Sequence, residues 1–230
     1  MNKNYYCVID TETVNGIVDE NGKLDLSQSL VYDVGWCICD KKGNVYRKRS
    51  YVVEQVFRDY PELMKSGYYA NKLEQYYNDI KRGERIVFPI IKIWGNFLND
   101  CKKYNVKAVM AYNTMFDYRA LNNTLRYITK SRYRHFIPKR FEIWDILKMT
   151  NSLLTKRRSY VDFCIDNNYL TKHKKPRPQL KAEIVYRYIK PNCNDFAESH
   201  TGLEDALIET EIFAWCNRQH KKMNKKLFND

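Results

Sequence analysis

The chain is 230 residues long, enough to bury a core of its own, and no Pro-, Gly- or Ser-rich linker divides it. Its 40 Lys and Arg against 27 Asp and Glu give a net charge of +13 at pH 7, which favours a polyanionic partner, nucleic acid first. Hydrophobic residues make up 44% of the chain, a globular proportion that argues against disorder, and no run is long or uncharged enough to span a bilayer.

Tyr5 to Ile9 is a short β-prone apolar run and predicts a central strand. Asp10 and Glu12 follow it, and residues two apart on an extended chain point to one side, so both carboxylates face one site. Val31 to Cys39 predicts a second strand, and the turn at Asp40 to Gly43 leads into a third near Val45 to Val53, giving an antiparallel meander. Residues 54–87 form an insertion rich in Tyr60, Tyr68, Tyr69, Tyr76 and Tyr77 with basic residues between them. Most of these tyrosines are expected to pack a small helical subdomain against the sheet, near enough to bound a cleft. Helical periodicity begins at Phe88 and carries Ile90, Ile91, Trp94, Phe97, Leu98 and Cys101, with Pro89 in the first turn.

Val106 to Ala111 predicts a buried strand, and MFDYRALNNTLRYI a helix with Asp117 in its first turn. A further strand at Phe141 to Ile146, helical pieces at Leu147 to Leu154 and Ser159 to Asn167, and a long helix from Gly202 to Arg218 complete the series. Thr201 and Glu204 have the spacing of a capping box, which puts His200 just before the last helix and Asp205 inside it. Were both inside, about 3.6 residues per turn would set them about 140° apart; from outside, His200 can swing over the site that Asp205 enters. The order predicts an α/β fold with a mixed sheet flanked by helices.

Asp10, Glu12, Asp117 and Asp205 thus fall at element ends in a basic chain. Buried carboxylates cost free energy unless cations offset them, and divalent metal ions acting on a phosphodiester fit both the acidic centre and the basic surround. The seven cysteines show no CxxC pair and no zinc-like spacing to histidine, and their odd number favours a reducing compartment. MNKNYYCVID lacks an apolar signal segment, so a cytoplasmic protein is expected.

DTET at 10–13, AYNTMFD at 111–117 and HTGLED at 200–205 together resemble the three motifs of the DEDDh, or DnaQ-like, 3′-to-5′ exonucleases. The likeness spans residues 5–215. It implies a ribonuclease H-like fold with a five-stranded sheet whose first three strands are antiparallel, in one domain over 1–220 followed by a basic tail over 221–230. It implies hydrolysis from the 3′ end of DNA, releasing 5′-nucleotides, with two Mg²⁺ or Mn²⁺ ions. Asp10, Glu12 and Asp205 would hold one ion, Asp10 and Asp117 the other, and His200 would be the general base. Substrate contacts are implied for Thr11, Thr13, Val14, Tyr112, Asn113 and Phe116. Two departures stand out: Val14 and Asn15 precede Gly16 where relatives commonly read DTETTG, and Tyr112 replaces a frequent histidine. Tyr112 has two readings, stacking on a base and packing at a strand end. The implied partners are single-stranded DNA or frayed 3′ ends, and a polymerase or replication protein. An exoribonuclease and a silent nucleic-acid-binding module are the competing readings.

Basic clusters lie at Arg132 to Arg140, Lys156 to Arg158, Lys172 to Arg177 and Lys221 to Lys226. TKHKKPRPQ at 171–179, interrupted by Pro176 and Pro178, predicts a loop leading to His200, and phosphate binding there would weaken as salt rises.

Overall fold

The computed structural model describes residues 4–15, 29–59, 64–65, 70–193 and 195–228. Six strands form one sheet in the order β4-β3-β2-β1-β5-β6. They are β1 Tyr5–Asn15, β2 Ser29–Cys39, β3 Val45–Val53, β4 Ile86–Phe88, β5 Val106–Ala111 and β6 Glu142–Asp145. β1 pairs antiparallel with β2, and β2 antiparallel with β3, as the meander predicts; β5 joins β1 in parallel and β6 joins β5 in parallel. The sixth strand corrects the five-stranded expectation. β4 lies at the end of the insertion and pairs in parallel with Tyr51 to Val53 of β3. Three residues of Ile-Val-Phe directly before Pro89 are too short to show a strand period.

Eight α-helices occur among the described residues: α1 Glu54–Phe57, α2 Leu73–Arg82, α3 Ile90–Lys103, α4 Thr114–Ile128, α5 Ile146–Leu154, α6 Arg158–Asp166, α7 Ala182–Ile189 and α8 Gly202–Arg218. Pro89 is the N-cap of α3 instead of its first-turn residue, so the helix begins two residues after Phe88. None is long and apolar enough to cross a membrane.

Strand alternation sorts the core into two layers. Cys7, Ile9, Val34, Trp36 and Ile38 pack with Ile93 and Phe97 of α3 and Leu121 and Leu125 of α4. Tyr6, Val8, Cys37, Ala108 and Met110 pack on the other face with Met149 of α5, Val185 of α7 and Ile212 and Phe213 of α8. Asp10 and Glu12 continue the even-numbered side of β1, towards α8. All seven cysteines are unpaired, and all but Cys193 are buried. Tyr76 of the insertion is buried, whereas Tyr77 is exposed; Tyr60, Tyr68 and Tyr69 lie outside the described residues. Near the C-terminus, the Asp145 N–H donates to the Lys225 carbonyl at 2.7 Å and the Leu227 N–H to the Ile143 carbonyl at 2.9 Å, so the basic segment runs along β6.

Candidate metal and nucleic-acid site

Parallel pairing of β1 with β5 brings the carboxyl ends of both strands to one edge, where α/β sheets commonly open a ligand crevice. β1 delivers Asp10 and Glu12 there. β5 leads into a tight turn in which Asn113 takes a left-handed conformation, φ +66°, tolerated by asparagine. Thr114 Oγ1 fixes the turn by accepting the Ala111 N–H at 2.9 Å while lying 2.7 Å from the Trp144 carbonyl. α4 then starts, and Asp117 in its first turn accepts a 2.8 Å hydrogen bond from Thr11 Oγ1.

The third approach belongs to α8, whose N-terminus presses directly onto β2. A Cβ added to Gly35 would stand 2.1 Å from Leu203 N, and one added to Gly202 would stand 2.6 Å from Gly35 N. Only paired glycines permit that contact. The Gly202 N–H donates to Asp33 Oδ2 at 3.0 Å, and the same oxygen accepts Tyr76 Oη at 2.6 Å and Arg85 Nη1 at 3.1 Å. Arg85 also reaches Asp79 at 2.9 Å and Glu204 at 3.1 Å.

The expected capping box is therefore corrected. Thr201 is the N-cap, but its side chain caps no backbone N–H; its hydroxyl bonds the Glu204 carboxylate, and Glu204 turns to Arg85. Asp33 supplies the cap from β2 instead. Sequence reading missed Asp33 and Arg85, although an aspartate inside LVYDVGWCIC was a visible signal, because a charge in a buried strand needs a partner.

Asp10, Thr11, Glu12, Tyr112, Asn113, Phe116, Asp117, His200 and Asp205 all line one open cleft of about 890 Å³. Thr13 and Val14 do not. Val14 is 1% exposed and packs in the core layer of α3 and α4. The β1–β2 register shifts between Glu12 and Thr13, where Tyr32 of β2 is passed over, so that Val14 comes opposite Leu30 of the same core layer. Tyr112 lines the cleft but spends its hydroxyl on the Leu180 carbonyl at 2.6 Å, which favours its packing role.

Glu12, His200 and Asp205 each offer one ligand atom, all within 4.8 Å of one another. His200 precedes the helix as expected, at φ +49°, and its Nδ1 lies 3.9 Å from Glu198. Burial and then Lys72 lower its pKa from the ordinary histidine value, against an opposing pull from Glu183. The ring is thereby neutral at physiological pH.

The acids move the other way. Burial, reinforced by Asp205 and Asp33, raises Glu12 to about 9 although Lys72 opposes it. Burial raises Asp117 to about 7 against the hydrogen bond from Thr11. Asp205 is also raised to about 7, by burial and then Glu198, against Ser199 and Lys72. Asp10 is raised well above its usual range by burial, then by Glu209, Asp117, Glu12 and Asp205. Glu209 was not singled out from the sequence. It lies on α8 four residues after Asp205, the spacing of one helical face, and is 4% exposed. Mutually repelling carboxylates converging on a cleft, with Glu12 and Asp205 oxygens already within 4.8 Å of each other, form a donor set that fits hard divalent cations.

The basic loop expected at 171–179 flanks this cleft. Leu170 and Pro178 form a β-bridge, and the Thr171 N–H donates to the Arg177 carbonyl at 2.9 Å. Thr171, Pro178 and Leu180 are shared between the cleft and an adjoining groove lined by His173, Lys174, Lys175 and Arg177.

Comparison with protein-family models and with curated proteins gives no match. Solved structures do match. The nuclease domain of 3′hExo, a DEDDh family member bound to rAMP, superimposes with a TM-score of 0.62 at 11% identity, covering 98% of this chain and 98% of that one. E. coli Exonuclease I in complex with a dT13 oligonucleotide gives a TM-score of 0.55 at 10% identity over 95% of this chain and 41% of that one. S. pombe Pop2p in its Mg²⁺- and Mn²⁺-bound form gives 0.50 at 13% identity over 94% and 83%. The chain has the ribonuclease H-like fold of the DEDDh 3′-exonucleases.

Proposed function

We propose that the protein is a metal-dependent 3′-to-5′ exonuclease that hydrolyses the terminal phosphodiester of single-stranded DNA and releases 5′-nucleotides. The observation that carries this reading is the convergence of Asp10, Glu12, Asp117, Asp205 and His200 on one cleft from three separate elements. The fold shared with exonucleases, one bound to rAMP and another to a DNA oligonucleotide, supports it. DNA is placed first because DTET and HTGLED are closer to proofreading-type motifs.

Two Mg²⁺ or Mn²⁺ ions, when bound, supply the positive charge that offsets the entering and leaving oxygens of the phosphodiester. Glu12 and Asp205 would hold one, Asp10 would bridge, and Asp117 would support the other. Imidazole nitrogen is a poor ligand for so hard a cation, which leaves His200 to accept a proton from the attacking water. Asn113, exposed at the turn, and Phe116 border the terminal nucleotide, while Thr11 orients Asp117 through its hydroxyl. The loop of Lys174, Lys175 and Arg177 holds backbone phosphates upstream.

Asp10→Ala and Asp205→Ala tested on matched DNA and RNA strands check the reading. Loss of cleavage in both variants, with wild-type activity dependent on added Mg²⁺ or Mn²⁺, is expected; undiminished cleavage by either variant would remove the proposed site. Faster turnover of RNA would reassign the substrate while leaving the chemistry in place.

A further inference from the structure

The geometry points to Glu209 as a fifth carboxylate of this site, a positioning residue that accepts hydrogen bonds from the water shell of the divalent ion held at Asp10 and Asp117. The inference rests on the metal-dependent reading above and assigns a role to a residue outside the DEDDh motifs.

Glu209 faces the cleft with Asp10, Asp117 and Asp205. One turn along α8 from Asp205, it is 4% exposed, and its Oε2 has no hydrogen-bond partner among the described residues. Its carboxylate does receive the Tyr112 N–H, from the turn that leads into α4. That single bond could be made by an uncharged glutamine. A buried carboxylate oxygen without a donor is destabilising, so a side chain serving only to tie α8 to the turn has no use for the second oxygen or the charge.

The like charges of Asp117 and Asp205 both act on Glu209, and that of Glu209 acts on Asp10. Something cationic is thus called for between α8 and the ends of β1 and β5. Glu209 stands outside the tight Glu12–His200–Asp205 group. Direct ligation is therefore not required of it: magnesium-class ions retain several waters, and those waters are donors of the kind Oε2 lacks. Carboxylates in such outer positions commonly contribute 10- to 100-fold in metal affinity.

The test is Mn²⁺ titration of the full chain by calorimetry and electron paramagnetic resonance, without substrate. Wild type is expected to bind two ions. Glu209→Gln, which keeps the shape and the Tyr112 bond, should weaken one of the two ions about 10- to 100-fold and leave the other unchanged. Glu209→Asp, which keeps the charge, should recover part of the loss. Metal-free Glu209→Gln should melt no lower than wild type, separating the effect from misfolding. Two ions bound at wild-type affinities by Glu209→Gln would overturn the role of Glu209 alone; no ion bound by wild type would overturn it together with the metal-dependent reading.

Discussion

His200 and the carboxylates divide the chemistry by opposite responses to one environment. Burial lowers the pKa of the histidine and raises those of the acids, so near neutrality the metal-free site holds a neutral base beside partly protonated ligands. His200→Ala should lower kcat by about 10²- to 10⁴-fold while two Mn²⁺ ions still bind; an unchanged kcat would give the proton to another group. A pH dependence follows from the same shifts. Asp117 and Asp205 at about 7 and Glu12 at about 9 keep protons in the folded state that the unfolded chain releases above about pH 4. Their contribution to stability is therefore fully present below about pH 4 and is lost progressively as pH rises from there, through about 7 for Asp117 and Asp205 and about 9 for Glu12. In EDTA the Tm should fall across that window, and saturating Mn²⁺ should remove most of the fall. Metal binding should also release protons, measurable by calorimetry in buffers of different ionisation enthalpy. A Tm flat from pH 6 to 9 without metal would contradict the raised values.

At the scale of elements, the site depends on how closely α8 sits on β2. Gly35→Ala places a methyl group 2.1 Å from backbone nitrogen that cannot step aside. It should destabilise the fold by at least about 1–3 kcal/mol and depress activity by displacing Asp205, as thermal melting and steady-state kinetics on one preparation would show. Arg85→Ala removes the partner of the fully buried Asp33 and should cost about 3–5 kcal/mol by urea denaturation. An exposed pair such as Arg58 with Glu54 should be worth under about 1 kcal/mol by the same measure. These contacts also mark where sequence reading stopped. The placement of His200 before α8 and of Asp117 in the first turn of α4 was legible, because both follow from local signals. The cap from Asp33 was not, since its partner Gly202 lies 169 residues away and nothing local encodes the pairing. The burial of Val14 was hidden for a related reason: the register with β2 shifts after Glu12, and a two-residue period cannot reveal it.

Over the whole molecule, α7 at Ala182–Ile189 was not anticipated, but most of the order of strands and helices was readable because those elements carry their own period, and the antiparallel start follows from a short turn. The sheet edge was not, as β4 is only three residues long and hides in the insertion. Charge acts at this scale too. With a net +13, binding to single strands should weaken steeply with salt. Replacing Lys174, Lys175 and Arg177 together by alanine should reduce the log–log salt slope by about 2, at ~0.7 for each lost phosphate contact, without altering metal binding. An unchanged slope would move the backbone contacts to another basic cluster. Stepwise cleavage from the 3′ end is tested by a time course on a single-stranded oligonucleotide labelled at its 5′ end, with Mg²⁺ or Mn²⁺ and with EDTA. A metal-dependent 3′-to-5′ exonuclease gives a ladder of labelled products shortening one nucleotide at a time from the 3′ end, with 5′-mononucleotides released and no reaction in EDTA. Internal fragments appearing first, shortening from the 5′ end, or equal cleavage in EDTA would contradict it.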